Sequence, residues 1–259
     1  MVQTDTPLDG NGAAVSCTTL AFDVTTVRIT CRGCAAIGQR LIGPSTMLYT
    51  PPAFRVADLP LLLDHIARTG LASFVTVGND GAIVSHVPLV HEPSDTGLGR
   101  LIGHVARANP QWQETDLSKP ALAVFMGPDA YVSPSWYPSK AEAGRVVPTW
   151  NYAVVHVRGA LTFFDDTSRL RDAVERLTDH HERTRADRWQ VSDAPERYVA
   201  SQLKGIVGFE IAIASIEGKY KLSQNRSEPD REGVIAGLQR EGDAASLATR
   251  TLMCPAAKD

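Results

Sequence analysis

The sequence predicts an α+β fold that is mainly antiparallel β, with helices placed around the sheet rather than between its strands. Three observations carry this. Short runs of alternating apolar residues recur from Leu71 onward, separated by Gly, Asn, Asp and Pro turns. Helical periodicity is confined to a few stretches, the clearest at 59–67, 167–184 and 228–238. The longest alternating run, 205–218, lies late in the chain and reads as a central strand. Many short strands with tight turns point to a closed or sandwich-like sheet, because closure removes exposed edges.

In chain order, residues 1–46 mix Gly, Thr, Ser and Cys without sustained period and read as a weakly ordered extension. Met47 reads like a protein start. The main domain is expected over 47–240 and a tail or further helix over 241–259. Asp58 caps a helix to about Ala67, with Pro60 in its tolerant first turn and Gly70 as its stop. Leu71–Val77 and Ala82–Val90 flank Gly78-Asn79-Asp80-Gly81, a hairpin turn by composition. Arg100–Val105 follows, and these three runs are expected to form a meander. Asn109-Pro110 starts a short helix. Ala121–Gly127 is a strand, a turn at Pro128-Asp129 follows, and Thr149–Phe164 alternates again. Between them lies an aromatic, proline-rich loop that contains Trp136 and leads to Trp150, Asn151 and Tyr152. A surface loop has little reason to be so aromatic, so it is expected to wall a binding site. Pro195–Leu203 is a short helix, Gly205–Gly218 a strand with a bulge near Gly208, and Ser227-Glu-Pro-Asp230 has the form of a capping box.

The 259-residue chain is 43% hydrophobic and carries a net charge of −3, so no general field favours nucleic acid and a DNA contact is not supported by charge. No stretch approaches a membrane span, and the first residues lack the pattern of a signal peptide; the expectation is a soluble, cytoplasmic protein. Cys31-Arg-Gly-Cys34 has CxxC spacing but no second ligand pair, and reads as incidental. No GxSxG, P-loop, HExxH or GxGxxG motif occurs, which leaves nucleophilic and zinc hydrolysis unsupported.

Three constellations remain. Gly103–Trp112 joins a strand to a helix start, with His104 and Arg107 beside Asn109: an anion site, or a capped helix with a solvent-facing arginine. His86 lies mid-strand, facing a cleft or simply half-exposed. Lys219–Arg226 places Lys221, Gln224 and Asn225 after the longest strand: cations and amides suited to a heterocycle edge, or a basic solvated turn.

Taken together, GHVARANPQW, AYVSPSWY, VVPTWNYAVVHVRG, GIVGFEI and KLSQNRS resemble the PaiB family of FMN-binding negative transcriptional regulators, over 47–238. The resemblance implies an antiparallel FMN-binding split β-barrel with peripheral helices, and a homodimer with flavin at the interface. On that reading the phosphate lies near His104, Arg107 and Asn109. Trp136, Trp150, Asn151 and Tyr152 line the ring and the seam, and Lys221, Gln224 and Asn225 complete the site from the other subunit. Two other readings stay open. One is an FMN-dependent oxidoreductase of the flavin-reductase or pyridoxamine-phosphate-oxidase kind, acting on a small molecule with a nicotinamide donor. The other is a haem-binding barrel using His86 or His104.

Overall fold

The computed structural model describes residues 48–254. The expectations for 1–46, including Cys31 and Cys34, lie outside the described residues. Eight strands form one antiparallel sheet: β1 (Arg55–Val56), β2 (Leu71–Gly78), β3 (Gly81–Pro88), β4 (Val90–Glu92), β5 (Arg100–Ala106), β6 (Ala121–Val132), β7 (Thr149–Phe164) and β8 (Ile206–Lys221). Their spatial order is β3-β2-β6-β7-β8-β5-β4, with β1 on β8. The helices are α1 (Leu59–Thr69), α2 (Gln111–Glu114), α3 (Ser139–Ala143), α4 (Thr167–Glu182), α5 (Glu196–Leu203), α6 (Glu228–Glu241) and α7 (Ala244–Met253). The expected mainly-β α+β class is what the chain adopts.

The sheet curls around its own apolar face. Phe74 of β2 stacks on Phe209 of β8 with centroids 4.3 Å apart, although two strands lie between them in the sheet. The ends of the curl approach at Gly103, where a side chain would meet Leu89, Phe209 and the Pro88 carbonyl. Asn109 Nδ2 joins this seam by donating to Ser85 Oγ at 2.8 Å. The curl therefore encloses a core of Phe74, Phe125, Phe209, Val155, Val157 and Ile211. α1 begins as the sequence dictates: Leu61 N donates to Asp58 Oδ1 at 3.2 Å, and Gly70 ends the helix at φ +64°.

The opposite face of the sheet is only partly covered. α4 and α5 seat a second apolar cluster of Leu170, Val191, Val199 and Leu203 against Phe164 and Ile206. Arg100 and Arg169 both reach Glu210, and Arg176 reaches Glu92, which tie α4 to β4, β5 and β8. Elsewhere on this outer face Tyr49 lies over Lys219, and Leu48 N donates to Glu217 Oε2 at 3.3 Å.

Several expectations change. The meander does not form: β3 pairs with β2 alone, while β5 pairs with β4 and β8. Apolar alternation marks a strand but not its partner. Val90–Glu92 is a strand of its own rather than the end of the hairpin or part of a loop. The runs on either side of Pro128 are one strand, β6, which absorbs Gly127-Pro128 as a bulge against β7. The bulge in β8 is not near Gly208: Ser215 opposes Arg158 and Ile213 opposes Gly159, so Ala214 is the extra residue. Ser227 makes no side-chain cap on α6, and the Asp230 carboxylate instead accepts from Ser139 N and Oγ at 3.1 and 2.8 Å.

Candidate functional site

In an antiparallel sheet, directly opposed residues share a face. The pairing therefore lays out the outer face in rows. One row reads His86, Ser73, Val124, His156, Glu217. The next reads Met126, Val154, Lys219, Arg55. Then come Asp129, Tyr152, Lys221, and last Tyr131 with Trp150. Four of the residues expected from sequence, His86, Trp150, Tyr152 and Lys221, thus share one surface.

Lys219 is the centre of it. It is 9% exposed, and among the described residues no carboxylate lies within ion-pair distance. Its ammonium lies between two rings instead, 5.3 Å from Tyr152 and 5.5 Å from Tyr49. Lys221 lies one pleat further along, donating to Trp150 O at 2.7 Å and to Thr149 Oγ1. Burial, and then the charges of Lys219 and Arg226, lower its pKa from the usual lysine value. Beyond Tyr152 and Val154, His156 points to the same side. Its Nδ1 is buried without a partner, and burial holds its pKa below 6.5, with Lys219 lowering it and Glu217 raising it. Positive charge and a vacant imidazole nitrogen therefore gather beside aromatic faces, an arrangement suited to an anion joined to a flat ring.

The aromatic loop borders this surface. Trp150 is 53% exposed and meets Tyr131 edge to face at 6.0 Å. Trp136 and Trp150 both line a cavity of about 440 Å³ beside the start of α7. Trp136 is seated on α6 where Gly233 and Gly237 leave room: a Cβ at Gly237 would come within 2.2 Å of its ring. Arg226 covers the ring of Tyr137 at 4.8 Å.

Other expected residues are used differently. Asn151 does not line a ring: it is fully buried on the inner face, exchanging hydrogen bonds with Ser223 at 3.0 and 3.2 Å. That exchange holds Ser223 in a left-handed backbone, φ +63°. Gln224 closes its own turn, accepting from Leu222 N and donating to Tyr220 O, so its amide is occupied. Asn225 is exposed beside it. Arg107 is not an open fork: Nε donates to Lys204 O at 2.9 Å and Nη2 to Ile206 O at 3.0 Å. The anticipated helix beginning at Asn109 is a four-residue turn, α2, whose Gln111 N is already capped by Asn109 Oδ1 at 3.0 Å. His104 shares the outer face but pairs with Gly208, thirteen residues along β8 from Lys221, at the end α4 covers. At ~3.3 Å per residue that is on the order of 40 Å. Burial lowers the His104 pKa below 6.5, and its Nδ1 has no partner.

Tyr49 and His156 were not among the expected site residues, whereas Lys219 belongs to the 219–226 run of cations read from the sequence. For His156 a signal was present, since Trp150, Tyr152, Val154 and His156 fall on one face by alternation.

Comparison with known proteins adds the family. Residues 48–215 match the family described as "Putative FMN-binding domain". The protease synthase and sporulation protein PAI 2 of Bacillus subtilis is 33% identical over 194 residues, covering 75% of this chain and 90% of that protein. An uncharacterized protein of Emericella nidulans is 35% identical over 192 residues, covering 62% of this chain and 76% of the other. Among solved structures, an FAD and heme binding protein from Mycobacterium smegmatis superposes with a TM-score of 0.49 at 16% identity, over 71% of this chain and 80% of the other. Family match and relative agree along most of the chain: it belongs to the PaiB-like FMN-binding domain family.

Proposed function

We propose that the chain binds FMN on the outer sheet face and works as a homodimer, with a negative regulatory role in transcription. The carrying observation is Lys219, a buried lysine set between two aromatic rings with no carboxylate within ion-pair distance among the described residues. A buried cation without an acid partner favours an anionic ligand. In this reading Lys219 and Lys221 hold the phosphate, and Tyr152 and Trp150 offer faces to the ring. Arg107 takes no part, because Nε and Nη2 hold the Lys204 and Ile206 carbonyls and Nη1 faces Asp165 at 3.7 Å. Bound FMN would supply the redox chemistry; the chain's own residues bind and orient it.

Two further observations support the reading. The outer face exposes Leu71, Val84, Met126 and Trp150, at 58, 52, 51 and 53%. Apolar exposure of that extent beside a ligand face suits pairing with a second copy. The regulatory part rests on the resemblance to the PaiB family; the relative's name speaks of a protease synthase and sporulation protein. Among the described residues no helix is long and apolar enough to cross a membrane.

The test is the absorption spectrum of the purified chain with and without added FMN, followed by a fluorescence-quenching titration and sedimentation. A yellow, dimeric protein with micromolar or tighter FMN affinity is expected. Dialysed protein that leaves micromolar FMN free would end the cofactor reading. Salt-dependent preference for promoter DNA over random DNA tests the regulatory part separately.

A further inference from the structure

A second cavity, of about 760 Å³, lies between α1, the bulge of β6 and α7. Leu61, Met126, Pro128 and Ala248 form much of its wall, and His65 and Tyr220 are its buried polar members. Its size is that of a small-molecule site. At the rim, Asp64 and Arg68 neutralise each other at 2.7 Å.

The hydrogen bonds fix where the protons are. His65 Nε2 lies 3.1 Å from the Phe125 carbonyl oxygen, which can only accept, so Nε2 carries the hydrogen. His65 Nδ1 is then a lone pair, and it lies 2.8 Å from the Tyr220 hydroxyl. Tyr220 must donate to it. The phenol oxygen is left with acceptor capacity only, and the pair offers a ligand no donor. Burial keeps this state in place, raising the Tyr220 pKa to about 12 and lowering that of His65. Gly127 keeps the imidazole seated: a Cβ there would come within 2.6 Å of His65 Cε1.

We infer that this cavity binds a small, uncharged, mostly apolar molecule with one O–H or N–H donor, a phenol or an aromatic amine, whose donor bonds to the Tyr220 oxygen. An anion is disfavoured, because the His65–Tyr220 pair offers it no donor and the charged side chains of the lining, Asp64 and Arg68, are spent on each other. Met126 is the one residue the cavity shares with the rows of the outer face, and the inference does not rest on the flavin reading.

Fluorine NMR of the full chain tests it with 4-fluorophenol, 4-fluoroanisole and 4-fluorobenzoate. Saturable binding of 4-fluorophenol is expected. The anisole, which lacks the donor, should bind about fivefold more weakly or worse, and the benzoate not at all. Ala248→Phe fills the cavity and should lose 4-fluorophenol binding while FMN affinity is kept; Leu61→Trp, at the rim, serves if the first variant does not fold. Equal binding of phenol and anisole would overturn the assignment. So would wild-type affinity in the filled variant, displacement of 4-fluorophenol by FMN, or no saturable binding at the probe's solubility limit.

Discussion

Replacing Lys219 by methionine tests the flavin face most directly, because affinity and stability should respond differently. Methionine keeps much of the stem that packs between Tyr49 and Tyr152 and removes the charge. In the ligand-free chain two effects oppose. The ammonium loses its attraction to the two rings at 5.3 and 5.5 Å, worth roughly 0.5–2 kcal/mol. The chain also no longer buries a cation at 9% exposure without an acid partner, a cost of similar order. Unfolding free energy should therefore stay within about 1 kcal/mol of wild type by urea titration. FMN binding has no such offset: a lost charged hydrogen bond costs ~1.5–3 kcal/mol, about 10- to 150-fold in Kd. Flavin fluorescence quenching reads that change. Wild-type FMN affinity in a stable Lys219→Met protein would remove Lys219 from the phosphate site. A loss of several kcal/mol in stability would instead make the lysine a structural residue.

Other expected outcomes are quick to check. Arg107→Ala should cost about 1–2 kcal/mol in urea unfolding, since the bonds to Lys204 O and Ile206 O go, and should leave FMN affinity unchanged. Gly159→Ala should destabilise by about 3 kcal/mol or more, because its Cβ would lie 1.9 Å from the Ala212 carbonyl oxygen and backbone cannot yield. Burial lowers the pKa of His65, His104 and His156 below 6.5. The unfolded chain therefore binds their protons first as pH falls, and melting temperature should decline on acidification from about pH 6.5. Asp166 and Asp243 behave likewise at lower pH. Their carboxylates cap α4 and α7, and hydrogen bonds from Ser168 and Ser246 head the causes that hold their pKa values below 3.8. Their contribution is complete above pH 3.8 and is lost as pH falls through the folded-state values, which circular dichroism can follow.

What the sequence disclosed follows from the range of the forces involved. Asp58 and Gly70 bound α1 through hydrogen bonds to neighbours a few residues away, so residue chemistry alone places that helix. The hairpin of β2 and β3 was legible for the same reason, since Asn79-Asp80 closes it locally. The pairing of β5 with β8 was not: it joins Arg100 to Ala212, and both strands simply read as apolar alternation. Within the site, strict alternation already separated Tyr152 from Asn151, so the two could not line the same surface. The aromatic content of 131–152 outweighed that rule, and Asn151 proved to be a buried support for Ser223. Arg107 misled for another reason. An arginine after a strand looks the same in sequence whether its fork faces solvent or two carbonyls of a distant turn.

The pairing of β8 with β5 and β1 also fixes when the sheet can close. Arg55 waits for Lys219, and Arg100 for Ala212. During synthesis, β1 and β5 are made long before their partner leaves the ribosome. Contacts so distant in sequence slow folding, and strands awaiting them expose unpaired edges. The β2–β3 hairpin and its partners β6 and β7 can assemble early, but the Phe74–Phe209 stack must wait for β8. The face that carries Lys219 and Lys221 is therefore completed by the last strand to emerge, so a chain stopped before β8 has neither a closed core nor the face proposed for FMN.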